Sequence, residues 1–257
     1  MKVILSPAKS LNEKVECQEI GCSQILFPED SERLVSKLSQ LSSRQIKKLM
    51  SVSDDIAELN YNRFQEWSLP FNEQNAKPAA YMFSGPAYQF LDFSSLSIKD
   101  QEIGQNKLRI LSGLYGILRP LDLIQPYRLE MGTRYKVTPK VTNLYLFWGD
   151  RLREELDREL AEDKNPVLVN AASSEYSKAA KLDKLKAKVI TTVFKDIAKD
   201  GTYKVNMTFA KQARGAMARY IIENDIESEE DLKGFDSHGY YFIPQESTDT
   251  EYVYHRG

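Results

Sequence analysis

Arg119, Arg128 and Arg134 stand beside backbone breaks at Pro120, Pro126 and Gly132 within one stretch of the chain, Leu108–Arg134. That stretch, LRILSGLYGILRPLDLIQPYRLEMGTR, is too dense in Gly, Pro, Tyr and Arg to be a single helix or strand. Glycine permits positive φ and proline pins φ, so the two kinds of break shape a loop by different means. The apolar run Leu108, Ile110, Leu111 ahead of Gly113 predicts a buried strand that feeds this loop. Guanidiniums suit phosphate or carboxylate because their planar fork donates two parallel hydrogen bonds. The chemistry expected of the segment is anion binding.

Four further groupings have residue types that can do chemistry. Ser6-Pro7-Ala8-Lys9-Ser10 follows an apolar run and offers Lys9 as a compact phosphate-seeking charge. It lacks the glycines and the GK[ST] ending of a Walker A loop, and a surface turn with a solvated lysine is the alternative. Asn170-Ala171-Ala172-Ser173-Ser174-Glu175-Tyr176 gathers polar groups where another apolar run ends. It reads either as a ligand-orienting set with Glu175 as base, or as a helix N-cap at Ser173 or Ser174. The basic stretch Lys178 to Lys188 follows it. On a helix over 210–223, Ala213, Met217, Tyr220 and Ile221 share the core face, while Lys211, Arg214, Gly215 and Ala218 fall opposite, with Arg219 at the edge. Small residues between cations either admit an anion close to the backbone or simply mark a solvated face. Finally, residues 46–57 have the apolar frame of a helix-hairpin-helix, in which a tight turn aims N–H groups at a phosphate. Ser51 and Ser53 stand where glycines are usual, and Asp54 and Asp55 repel phosphate, which leaves Lys47 and Lys48 as its phosphate contacts and a plain αα-hairpin as the alternative.

The long LSGLYGILRPLDLIQPYRLEMG run, SPAKS, Phe147-Trp148-Gly149-Asp150, NAASSEY and Ala213-Arg214-Gly215-Ala216-Met217-Ala218-Arg219-Tyr220 together resemble the YaaA-type bacterial peroxide-stress proteins, in that family's order and over nearly the whole chain. The resemblance implies a cytoplasmic protein that limits free iron during peroxide stress. It also implies DNA binding through a basic cleft and a helix-hairpin-helix-like element, on a fold that is not a common superfold.

The elements that must position these residues can be read from hydrophobic spacing. Val3-Ile4-Leu5, residues 166–170, 188–197 and 203–207, Tyr240–Ile243 and Tyr252–Tyr254 predict strands, with 203–207 a hairpin partner of 188–197. Residues 31–67 are helical by period, interrupted at Ser42-Ser43 and at Ser51-Val52-Ser53. Residues 144–160 predict one helix with an apolar stripe through Trp148, Leu152, Leu156 and Leu160, and residues 79–83 a strand. Early helices and late hairpin-like strands argue for an α+β fold with a mixed β-sheet surrounded by helices, rather than a regular βαβ alternation. The absence of repeats and linkers predicts one compact domain over 1–257, with the helix-hairpin-helix-like segment at about 43–67.

Bulk properties narrow the functions. With 35 Lys and Arg against 37 Asp and Glu, the formal charge is −2, so polyanion binding must rest on local clustering. No signal-like or membrane-length apolar run occurs, which predicts a cytoplasmic location. Cys17 and Cys22 form no zinc frame and are expected to be reduced; no iron-store Glu-x-x-His pair occurs, and Glu251 with His255 is a poor substitute. No metal or other cofactor is expected.

The expected partner is DNA, duplex or in damaged or branched form, held through its phosphates by Lys9, Lys47, Lys48, Arg119, Arg128, Arg134, Lys178, Lys211, Arg214 and Arg219. The competing reading is an enzyme acting on a phosphorylated or nucleotide-like small molecule, with Glu175, Tyr176 or Asp150 as its acid or base. A protein-interaction module, resting on the acidic stretch 223–231, is a third.

Overall fold

Val3, Ile4 and Leu5 are all buried because they form the middle of a sheet, not its edge. In the computed structural model, which describes residues 1–15 and 21–257, eight strands make that sheet. They are β1 (Lys2–Leu5), β2 (Leu108–Ser112), β3 (Gly116–Leu118), β4 (Val167–Asn170), β5 (Lys188–Ile197), β6 (Tyr203–Lys204), β7 (Tyr240–Phe242) and β8 (Glu251–Arg256). Their order is β7-β8-β5-β4-β1-β2-β3, with β6 paired to β5. Strands β8, β5, β4, β1 and β2 are mutually parallel, while β7 and β3 run antiparallel at the two ends. Every residue of β2 and β4 is buried, as parallel strands covered on both faces require. The mixed sheet agrees with the α+β expectation.

Ten α-helices occur among the described residues: α1 (Pro28–Leu38), α2 (Ser43–Met50), α3 (Asp54–Glu66), α4 (Ala79–Met82), α5 (Pro86–Leu91), α6 (Ile98–Lys107), α7 (Leu144–Trp148), α8 (Arg151–Ala161), α9 (Ser174–Ala179) and α10 (Met207–Glu223). The serines that interrupt the early helical pattern act as caps. Ser42 and Gln45 form a reciprocal capping box on α2, and the Ser53 hydroxyl accepts from the Ile56 N–H to start α3. Ser51, between them, takes the left-handed conformation at φ 53°, which a glycine would adopt more readily. The segment is thus two helices joined by three residues.

Three expectations need correction. Residues 79–82 are helical, and only Phe83–Ser84 extends into a strand pair with Ser10–Leu11. The helix expected over 144–160 is two helices, because Gly149 at φ 58° ends α7 before Arg151 starts α8. The hairpin partner of β5 spans only Tyr203–Lys204, since the Asn206 side chain accepts from the Thr208 and Phe209 N–H groups and starts α10 at Met207. Cys17, named above with Cys22, lies outside the described residues. Among the described residues, no helix is long and apolar enough to cross a membrane.

The topology leaves one crevice. Chain leaving β1 crosses over to β2 on one side, whereas chain leaving β4 continues to β5 on the other. The loops after these two adjacent parallel strands therefore diverge, and ligands of open parallel sheets bind outside carboxyl ends at such a point. Gly113, just past β2, brings the later part of the loop to this end: a Cβ there would lie 2.2 Å from the Leu129 carbonyl oxygen. The Tyr127 and Ser112 hydroxyls, 2.6 Å apart, add a second tie.

Candidate anion-binding cleft

At the end of β1, Ser6 joins the two diverging loops. Its hydroxyl accepts from the Ser173 N–H at 2.8 Å and lies 3.2 Å from the Ser173 hydroxyl. Tyr88, in the first turns of α5, donates its phenol to the Ser6 carbonyl at 3.0 Å. Ser173 occupies the N-cap position of α9 without capping it through its side chain, because its hydroxyl is engaged with Ser6. Asn170 is likewise absorbed locally: its oxygen accepts from the Ala172 N–H and the Ser177 hydroxyl.

These loops, residues 84–88, the Tyr127–Glu130 strap and one face of α10 enclose a recess of about 370 Å³. Lys9, Arg128, Lys211 and Arg214 line it, with Glu130 and Glu175 as its two carboxylates. Glu130 bridges two of the cations, 2.7 Å from Lys9 Nζ and 2.9 Å from Arg128 Nη2. The Nε atoms of Arg128 and Arg214 are buried and donate to no described acceptor. Arg214 has no ion-pair partner among the described residues, and burial lowers its pKa from the ordinary arginine value. An uncompensated, half-buried guanidinium is costly unless an anion meets it.

Burial pushes the phenols of Tyr88, Tyr127 and Tyr176 up, with neighbouring phenols and, at Tyr176, Glu175 adding to the shift in places. They are therefore neutral hydrogen-bonding groups near pH 7. Tyr176 is only 5% exposed. The Glu175 carboxylate accepts from the Gly132 N–H at 2.7 Å and so fastens the strap to α9.

Glu130 and Glu175 also border a wider, adjoining groove of about 850 Å³. Its other wall is the end of α2 and the Ser51 turn, and its cations are Lys48, Arg134 and Lys136. The recess and the groove thus adjoin at these two carboxylates, with cations on either side, and together make a channel between α10 and the α2–α3 hairpin.

Of the residues singled out by sequence, Lys9, Arg128, Lys211, Arg214, Glu175 and Tyr176 come together in the recess, and Lys48 and Arg134 in the groove. The others lie elsewhere. Lys47 pairs with Asp54 at 2.8 Å. Arg119 pairs at 3.4 Å with Asp122, whose carboxyl is pushed up by burial against the lowering contacts of Ser23 and Arg119. Arg219 binds the Leu91 and Asp92 carbonyls and the Ser95 hydroxyl at the end of α5, and pairs with Glu223 at 2.8 Å. Lys178 is exposed over the Tyr145 ring, 5.3 Å from its centroid. Asp150 is exposed and held below the usual carboxylate range, first by its hydrogen bond from Lys181.

The small residues of α10 have a different role from the one expected. Gly215 and Ala218 are buried, and a Cβ on Gly215 would lie 1.8 Å from the Ala87 carbonyl oxygen. They admit the backbone of α5, not an anion. Sequence reasoning also passed over Glu130, Lys136 and Tyr88. The Gly85-Pro86 step was the available signal for Tyr88, since proline at a first helical position marks a helix start. Glu251 and His255 do not form a ligand pair: His255 Nε2 lies 3.2 Å from Glu246 and its ring stacks on Tyr203. Among the described residues, no three His, Cys, Asp or Glu side chains converge as a metal-binding group.

Comparison with known proteins places this site in context. A family model described as peroxide stress protein YaaA matches residues 1–246. A UPF0246 protein of Aliivibrio fischeri strain MJ11 is 48% identical over 256 residues, covering 100% of this chain and 98% of the relative. A UPF0246 protein of Idiomarina loihiensis is also 48% identical with the same coverage, and one of Dechloromonas aromatica is 47% identical, covering 100% of this chain and 99% of its own.

Proposed function

The chain belongs to the peroxide stress protein YaaA family, and from that premise we propose that it protects DNA in the cytoplasm by binding it through the cationic channel. The observation that carries this reading is the continuity of the channel. Lys48, Arg134 and Lys136 in the groove lead to Lys9, Arg128, Lys211 and Arg214 in the recess. Seven cations against two carboxylates suit backbone phosphates, whose neutralisation releases counterions and carries no base preference. The α2–α3 hairpin forms the outer lip, where Lys48 is the phosphate contact; the Ser51 and Val52 N–H groups close the end of α2 on the Lys47 carbonyl. Bound DNA is shielded from radicals that iron generates from peroxide, which connects the site to the family's stress response and to the limitation of iron-driven damage.

Fluorescence anisotropy with duplex, single-stranded and bubbled DNA across a salt series tests the proposal. If four phosphates are neutralised, the log–log salt slope is about −3 to −4. Lys48→Ala and Arg128→Ala are expected to weaken binding to every sequence alike. No binding at low salt, or binding that salt does not weaken, refutes it.

The recess itself favours a second reading. A volume near 370 Å³ with buried phenols and two guanidiniums suits one phosphorylated small molecule. On that reading Glu175 and Glu130 are the carboxylates in the recess for proton transfer, and nucleotides and sugar phosphates are the compounds to screen.

A further inference from the structure

The recess and the groove differ in ways that bear on what each can hold. The groove is the wider and more open of the two, whereas the recess is narrower and has buried residues in its lining, among them Leu5, Ala171, Tyr127 and Tyr176. A phosphodiester inside a strand carries a nucleotide on both sides, and the narrower recess must accommodate both. A phosphate at the end of a chain has only one such continuation. Charge points the same way. Four cations and two carboxylates line the recess, an excess of two positive charges. A diester brings one negative charge, while a monoester brings close to two at neutral pH. The donors are also in place: Arg128 and Arg214 each keep a buried Nε without a described acceptor, and Arg214 has no carboxylate at all among the described residues.

We infer that the recess is a receptor for a terminal phosphate monoester, presented by the end of a nucleic acid strand or by a free nucleotide. The strand-end form rests on the DNA-binding reading above; the free-nucleotide form does not. Arg214 and Arg128 form the phosphate clamp, with Lys9 and Lys211 at the mouth. Glu130, which holds Lys9 and Arg128 before a ligand arrives, gives way to the phosphate. The rest of the nucleotide faces residues 84–88 on one wall and the start of α10, with Met207, on the other. The remaining strand then lies in the groove toward Lys48. No covalent step is implied.

The test compares oligonucleotides of one sequence carrying a 5′-phosphate, a 3′-phosphate or only hydroxyl ends, with adenosine monophosphate and adenosine as separate competitors. At pH 7.5, one of the two phosphorylated ends is expected to bind at least about tenfold more tightly than the hydroxyl form. That increment is expected to shrink by pH 5.5, below the second phosphate pKa of about 6. Arg214→Met keeps much of the volume and removes an unpaired, half-buried cation, so it is expected to retain the melting temperature and lose the increment, whatever hydroxyl-ended binding remains. Arg214→Gln is the second variant should the first fail to fold.

Equal affinity for phosphorylated and hydroxyl ends, with no displacement by the monophosphate, overturns the inference and leaves the DNA reading standing. Binding of the monophosphate but not adenosine, lost in the Arg214 variant, upholds the inference even where no oligonucleotide binds and the DNA reading falls. A phosphate increment that survives in both Arg214 variants also overturns it, because the clamp is then elsewhere.

Discussion

Replacing Gly215 by alanine tests whether the walls of the recess are held by the packing of α10 on α5. In an exposed helix interior the change would help, by about 1 kcal/mol of helix propensity. Here the new Cβ meets backbone, at 1.8 Å from the Ala87 oxygen, 2.7 Å from its carbonyl carbon and 3.0 Å from its Cα. A carbonyl cannot rotate away as a side chain end can, so the two helices must part by more than an ångström. Overpacking of a tight core costs about 1–3 kcal/mol, and a clash with backbone belongs at or above the top of that range. The steric cost wins, and the net loss is about 2 kcal/mol or more. For a chain of this size that lowers the melting temperature by at least roughly 4–8 °C. Binding must suffer as well, because Arg214 is the residue before Gly215, and Ala87 lines the opposite wall. Circular dichroism melting reads the first effect and anisotropy with DNA the second. Gly21→Ala is the control, since nothing lies within 4 Å of its added Cβ; it is expected to stay within about 0.5 kcal/mol. A Gly215→Ala protein that melts at or above the parent temperature and binds DNA equally well would falsify the claim that this contact sets the recess.

Two further predictions concern charge. Glu130→Gln removes the carboxylate that competes for Lys9 and Arg128, and is expected to tighten phosphate-dependent binding about two- to fivefold, in keeping with a partly exposed pair; weaker binding in titrations would show that Glu130 positions the cations and does not compete for them. For Asp163, burial raises the carboxyl's pKa, but hydrogen bonds from the Met1 ammonium and Lys2 outweigh it, and the net shift is down. A depressed folded-state pKa gives stability that is complete above the unfolded value of about 3.9 and is lost as pH falls through the folded value. Between about pH 5 and 3, urea midpoints of Asp163→Asn are therefore expected to fall less steeply than those of the parent, and parallel curves would count against the linkage.

Much of the local structure was legible because its causes are local. Val3–Leu5, Val167–Asn170 and Lys188–Ile197 form strands where apolar, β-branched runs stand. The serine breaks at 42 and 53 became caps, and Gly113 and Pro120 turned the chain where they occur. The parallel centre of the sheet was not legible, since it pairs β1 with strands far away in sequence and sets β8 beside β5 across α10. Periodicity says which face of a helix is apolar, but not how many neighbours cover it. Hence Gly215 and Ala218 were assigned outward, although α5 packs on that side. Composition also shows that arginines are present without showing which meet a protein partner. Arg119 has an ion pair with Asp122, though its Nε, like that of Arg214, finds no hydrogen-bond acceptor among the described residues; Arg219 binds the end of α5, and Arg214 has no ion-pair partner among the described residues. Only tertiary structure separates those cases.

The position of β1 has a consequence for biosynthesis. Its two neighbours in the sheet are β2, whose Leu108 pairs with Val3, and β4, whose Val169 pairs with the same residue from the other side. A ribosome adding about 5–20 residues per second reaches β2 some 5–20 s after β1, and β4 later still. Throughout that interval the nascent chain carries an apolar strand with both backbone edges unpaired. Parallel pairing over such sequence distances is intrinsically slow. The crevice is thus assembled only after β4 has emerged, and the segment most in need of shielding during synthesis is the one from which Ser6 and Lys9 later reach into it.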